Sequence, residues 1–278
     1  MLELKGKLAL IPGASRPIGR AIARKFARNG ARLLLPVFDW PESIKEMQNE
    51  FNEQGWGFTT ISADLRCESE VLRIRKAIEE TDDRLDFLIN NIERGGMPVV
   101  HGSYDLPHNS DQWDREINTT MKAKWLLFHH CFPLMQAAES KGGAVVNISS
   151  VAAETGRSGA VGMLYSDGYS AANRSIRSMT ESWAREAAPR IRVNELMLGL
   201  AQGRHGEGTR GWTALGQEKQ EEILNEVLLR RTAFAEEVAD AVYFLAVQAT
   251  YMTGSVVKMD GGLSLGGRRV PPMPKSIL

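Results

Sequence analysis

The chain has little cysteine, no excess of charge of either sign and no long apolar run. Two cysteines in 278 residues, Cys67 and Cys131, cannot build a disulfide framework and suit a reducing compartment. Thirty-four basic side chains balance thirty-four acidic ones, which removes the electrostatic footprint that nucleic acid or an anionic membrane would need. No stretch approaches the roughly 20 apolar residues of a bilayer-spanning helix. The opening MLELKGKLAL has no cleavage signal, and Ser276-Ile277-Leu278 lacks the basic middle residue of a peroxisomal address. A cytoplasmic protein with neither nucleic acid nor membrane as partner is therefore expected. The five histidines show no metal spacing. His129, His130 and Cys131 are consecutive in a predicted helix and do not face one point, so no metal site is expected.

What the chain does have is alternation. Short apolar runs at 7–13, 31–37, 57–65, 85–91, 143–150, 191–197 and 254–262 read as strands. Between them, apolar residues recur at helical spacing over 17–30, 41–55, 68–81, 110–140, 169–188, 218–228 and 235–247. Gly30 follows the first of these as a C-cap, and Pro41 opens the second at its first turn. Such a pattern predicts an α/β protein: one Rossmann-like, doubly wound parallel sheet of about seven strands with helices on both faces. Nothing marks a second domain, so 1–278 is read as one, with an irregular lid at 199–217 and a Pro-rich, extended tail at 264–278. Ligands in such sheets bind outside the carboxyl ends of the strands.

The turn after the first strand, PGASRPIG (12–19), can bring backbone N–H groups against a pyrophosphate at a helix N-terminus. Alone it is unspecific, since any tight turn favours small residues. Further motifs follow in order: Asn90-Asn91 after strand four, NISS (147–150) after strand five, YSAAN (169–173) opening a helix, IRVN (191–194), and YMTGSVVKMDGG (251–262). Together they resemble the short-chain dehydrogenase/reductase family, in its ketoacyl-reductase-like branch, over roughly 5–265.

The resemblance implies NAD or NADP as cofactor and hydride transfer to a small-molecule or acyl-linked carbonyl. Ser150 matches the serine that holds the substrate oxygen, and Tyr169 the tyrosine that gives or takes the proton. Gly13, Ser15, Arg16, Ile18 and Gly19 match the nucleotide-binding turn, with Arg16 where family members hold the 2′-phosphate of NADP. Asp64 and Leu65 match the adenine contact, and Asn90 and Asn91 the end of strand four. Asp39 could instead meet a ribose hydroxyl, as in NAD enzymes, which leaves NAD against NADP open. Family members pair through two long helices, here near 111–137 and 169–188, so a homodimer or homotetramer is implied.

Departures from the pattern cluster on one wall. Asn173 stands at the lysine position, Thr120 at the active-site asparagine, Pro17 at a glycine, Ile92-Glu93 at Ala-Gly, Leu198 at a proline and Gly203 at a threonine. Ser150 and Tyr169 lie several residues further apart than in the family, and Tyr165 is a second candidate tyrosine. The lysine charge stabilises a phenolate. At about 4 Å in an effective dielectric near 20 it is worth on the order of 4 kcal/mol, roughly a thousandfold in rate. Arg174 points about 100° around the helix from position 173 and does not replace it. Glu93 would place a carboxylate near the dinucleotide. The expectation is an atypical, weakened reductase. Two alternatives stay open: a cofactor-free binding or regulatory partner, and a Ser/Tyr acid–base enzyme without redox chemistry.

Overall fold

The central strands of the sheet are short and buried along their whole length, as a sheet covered on both faces requires, while the edge strand at 58–62 is half-exposed. The structure, a computed structural model, describes residues 3–81, 84–93, 107–137, 143–206 and 210–267. Most of the loop 93–110, the middle of the expected lid and the end of the tail lie outside the described residues. The strands are β1 (Leu8–Leu10), β2 (Arg32–Val37), β3 (Phe58–Ser62), β4 (Phe87–Asn90), β5 (Gly143–Ser150), β6 (Ile191–Leu198) and β7 (Val256–Met259). They form one sheet in the order β3-β2-β1-β4-β5-β6-β7, with every pair parallel. The order reverses between β1 and β4, which opens a crevice at their carboxyl ends.

Helices α1 (Pro17–Arg28), α2 (Pro41–Glu53) and α3 (Glu68–Thr81) link the first four strands. The long helical stretch expected at 110–140 is broken. It comprises α4 (Pro107–Glu116), a turn of π-type spacing at Ile117–Lys122, and α5 (Ala123–Ala137). One extra residue per turn there re-aims the chain around Thr120; such irregularities recur at functional sites. Beyond β5 come α6 (Ala152–Thr155), a 3₁₀ turn (Ala160–Leu164) and α7 (Asp167–Ala187). Helices α8 (Arg210–Ala214), α9 (Gln217–Glu226) and α10 (Ala235–Tyr243) complete the described set.

Three apolar clusters hold these layers. One packs Ile22 and Phe26 of α1 with Val238 and Val242 of α10 on one sheet face. A second packs Val71 and Ile74 of α3 with Leu127, Cys131 and Trp183 on the other. The third gathers Val151, Leu164, Tyr165, Tyr169, Trp212 and Ile223 above the carboxyl ends of β5 and β6. The extra residues between Ser150 and Tyr169 thus fold into α6 and the 3₁₀ turn and build part of this third core.

Candidate active site

The glycine-rich turn is fixed by contact with strand four. Gly13 has φ +73°, and a Cβ there would lie 2.5 Å from the Asn91 carbonyl oxygen. A Cβ on Gly19 would lie 2.1 Å from the Gly13 carbonyl oxygen, so neither position tolerates a side chain. Asn91 donates to the Pro12 carbonyl at 3.4 Å, and Asn90 donates to Asn147 Oδ1 at 2.8 Å inside the sheet. Ile18 lies in the core. Gly13 both shapes the crevice and lines it, whereas Ile18, Gly19, Asn90 and Asn91 shape it without lining the cavity.

Beside the turn lies a cavity of about 370 Å³, lined by Gly13, Ser15, Arg16, Asp39, Asp64 and Leu65 among others. Arg16 sits 4.4 Å from the centre of the Trp40 ring and donates to Ser43 Oγ at 3.3 Å. Arg66 Nε and Nη2 donate to Asp64 at 2.8 and 2.7 Å, and these hydrogen bonds hold its carboxyl below the usual range. An open cavity beside a side-chain-free turn, carrying both a cation and carboxylates, fits the adenosine part of a dinucleotide.

Tyr169 is placed by a helix cap. Ser166 ends the extended backbone before α7; its hydroxyl accepts the Tyr169 N–H at 3.0 Å and donates to buried Glu116. The phenol is wholly buried, as is the ring of Tyr165, stacked on it at 5.8 Å between centres. Burial pushes both phenols above their ordinary value, with Glu93 acting in the same direction; Arg204 and Ser150 oppose the shift. Asn173 is buried too, and its amide donates to the Tyr169 carbonyl at 3.0 Å, one turn back along its own helix. Thr120 is buried in the π-type turn.

The expectation that the phenol lacks a cation is overturned. Arg204, from the segment read as a lid, places Nη2 3.2 Å from the Tyr169 hydroxyl oxygen and donates to the Ser149 carbonyl at 3.2 Å. The same nitrogen forms an ion pair with Glu93 Oε2, to which the Tyr169 hydroxyl donates at 2.7 Å. Glu93 therefore meets the phenol and the guanidinium. Burial works against the Arg204 charge, but Glu93 and the two tyrosines outweigh it and raise its pKa. Next in the chain, His205 packs its ring 5.0 Å from Tyr169 and 5.4 Å from Tyr165. Burial lowers its pKa to about 4, so it is neutral at pH 7. Gly203 presses on the turn: a Cβ there would lie 2.6 Å from Pro17 Cγ.

Two further buried ionisable groups lie at the ends of β5 and β6. Lys124 Nζ donates to the Ile148 carbonyl at 2.6 Å and meets no carboxylate within ion-pair distance among the described residues. Burial takes its pKa down to about 7. Glu195 accepts from Ser149 Oγ, and burial raises its carboxyl. Around the phenol, the Tyr165 hydroxyl, Asn173 Oδ1, Arg204 Nε and both His205 ring nitrogens have no hydrogen-bond partner among the described residues. Buried polar atoms are rarely left this way.

Of the residues expected from sequence, Gly13, Ser15, Arg16, Asp64 and Leu65 converge on the cavity, and Ser150 and Tyr169 on the buried polar cluster. Arg204, His205 and Lys124 were not among them, and Glu93, expected near the dinucleotide, lines the cavity but also meets the phenol. One signal was available: a new acid after strand four and a new base after strand six, flanking the same strand β5.

The comparisons agree with this architecture. A family model described as enoyl-(acyl carrier protein) reductase matches residues 13–264. The chain belongs to that family, within the short-chain dehydrogenases/reductases. It is 31% identical over 274 residues to oxidoreductase UcpA of Salmonella typhimurium, covering 95% of this chain and 97% of the relative. It is 27% identical over 264 residues to the 3-oxoacyl-[acyl-carrier-protein] reductase FabG of Thermotoga maritima, covering 94% and 99%. The short-chain dehydrogenase/reductase of Serratia marcescens superposes with a TM-score of 0.80 at 23% identity, covering 94% and 99%, a likeness of fold.

Proposed function

We propose that the chain is an NAD(P)H-dependent reductase of a carbonyl group, with a 3-oxoacyl group on a carrier as the first substrate class to try. The observation that supports this most is the Arg204 guanidinium 3.2 Å from the Tyr169 oxygen. It supplies, from another part of the chain, the positive charge that position 173 lacks. An unshielded charge at that range is worth on the order of 4 kcal/mol to a phenolate, and the pairing with Glu93 offsets part of it. The FabG relatives, named as 3-oxoacyl-[acyl-carrier-protein] reductases, suggest the substrate class.

In this reading Tyr169 donates its proton to the carbonyl oxygen and Ser150 donates a hydrogen bond to the same atom. Gly13, Ser15, Arg16, Asp64 and Leu65 hold the nucleotide, and Ile18, Gly19, Asn90 and Asn91 keep the turn in shape. Asn173 and Thr120 keep the positions of the family's lysine and asparagine without their charge or amide. The bound reduced nucleotide supplies the hydride. Gly203 packs against Pro17, so residues 202–205 would have to move for a dinucleotide to extend from the turn toward the phenol. The protein acts in the cytoplasm as a homodimer or homotetramer through α5 and α7; exposed Trp125, stacked on His129 at 5.1 Å, marks the apolar part of that face.

Nucleotide binding is tested by energy transfer from tryptophan to NADPH and NADH. A dissociation constant below millimolar for at least one is expected; none for either overturns the reading. A second reading, a non-redox protein on the same fold, draws on the closed contact between Gly203 and Pro17. It predicts either no turnover at all or turnover without nucleotide that is lost in Tyr169→Phe.

A further inference from the structure

A reductase built on Tyr169 must resupply a proton to a phenol that has no contact with bulk water, and the inference here rests on that reductase reading. The hydroxyl is fully buried, beneath Tyr165, His205 and Arg204. Asn173 does not titrate, and its amide is turned back onto the Tyr169 carbonyl. Glu93, in contrast, faces both ways. Its Oε2 receives the phenol's hydrogen bond at 2.7 Å, and its side chain retains 17% of its exposure and lines the 370 Å³ cavity. Arg204 bridges the carboxylate and the phenolic oxygen, so a proton passing between them moves within the field of one cation and along a hydrogen bond already formed.

We propose that Glu93 is the proton carrier of this site, moving one proton at a time between cleft water and the Tyr169 oxygen. In reduction the Tyr169 O–H bond breaks as the proton goes to the carbonyl oxygen, while the reduced nicotinamide nucleotide gives its hydride to the carbonyl carbon. An alcohol, an oxidised nucleotide and a phenolate result. The Glu93 carboxylate then takes a proton from water in the cavity and passes it to the phenolate, returning to its ion pair with Arg204. The sum is one hydride from the nucleotide and one proton from solvent. Alcohol oxidation runs the same path in reverse. The charged and titratable groups that face Glu93 are Arg204 in its ion pair, His205 with Nε2 4.0 Å from Oε1, Tyr169 of α7, and Lys124 of α5 through its field.

The direct test needs no nucleotide. With ¹³Cζ-labelled tyrosine, the exchange of the Tyr169 hydroxyl proton with water is followed by NMR, assigned with Tyr169→Phe. Glu93→Gln keeps the side-chain shape but cannot carry a proton. It is expected to slow the exchange at least tenfold and to lower steady-state reduction, which needs the phenol reprotonated in every cycle, by roughly 10²-fold, the lower end of what a positioned acid or base contributes. Formate added to Glu93→Ala should restore both. If Glu93→Gln fails to fold, Glu93→Asp, with its carboxylate drawn back by one methylene, should show the same slowing. Exchange unchanged in these variants overturns the proposal even where nucleotide binds. Slowed exchange in a protein that binds no nucleotide keeps the proton path and sinks the reductase reading instead.

Discussion

Arg204, Lys124 and His205 are all buried, and burial opposes charge on each. Of the three, only Arg204 hydrogen-bonds an acid, and it keeps its charge; His205 stands 4.0 Å from the same carboxylate. Lys124, with one carbonyl as partner, has its pKa brought from 10.5 to about 7. Between those values the unfolded chain binds a proton that the folded chain does not, so stability rises with pH across that window. His205 acts likewise between about 4 and 6.5, so stability falls as the solution is acidified through that range. Lys124→Met removes a buried charge and keeps the volume. The expected outcome is a melting temperature raised by a few degrees at pH 7 and a flatter pH dependence between 7 and 10.5, read by thermal unfolding at several pH values. A lower melting temperature would show that the ammonium is stabilised by partners stronger than the Ile148 carbonyl. At this scale the sequence was legible where a residue's position is local: Ser150 and the turn residues lie at the expected strand ends, and Tyr169 in the first turn of the expected helix. It was not legible for Glu93 and Arg204, which lie 111 residues apart and whose meaning depends on their meeting.

The segment from Ala201 to Gly206 is the element whose reading changed most. A Gly-rich stretch after the sixth strand is expected to be a loose lid, because such residues lack side chains that anchor a loop. Here it is anchored by backbone bridges from Ala201 to Arg204 and Ala233, and by the side chains of Arg204 and His205. Propensity could not reveal this, because the anchors are long-range. Gly203, at φ +73° and against Pro17, is where the closed arrangement is most sensitive. Gly203→Ala should push the segment off the turn. NADPH should then bind several-fold tighter, by energy transfer, while the melting temperature drops by a few degrees. Weaker binding would mean that the segment helps to hold the nucleotide. Elsewhere the helical period located α1, α2, α3 and α7 well. It missed the π-type turn at Ile117–Lys122, which shifts the phase of an otherwise continuous apolar pattern by one residue.

For the molecule as a whole, fold and chemistry separate. The parallel seven-stranded sheet follows from strand–helix alternation and is carried by apolar positions, to which the departures Leu198 and Ile92 also contribute. The other departures lie after the carboxyl ends of β1, β4 and β6, or, as with Asn173 and Thr120, on α7 and the π-type turn. Several of them compensate one another: Asn173 with Arg204, Glu93 with Arg204, and Pro17 with Gly203. In the proposed reading the set is a rebuilt acid–base centre. Its decisive measurement is stopped-flow single-turnover oxidation of NADPH by a 3-oxoacyl thioester, comparing the natural protein with Arg204→Ala. The account predicts a rate about a hundredfold lower in the variant, somewhat less than the full unscreened charge would give. A variant that reduces the thioester as fast as the natural protein would contradict it.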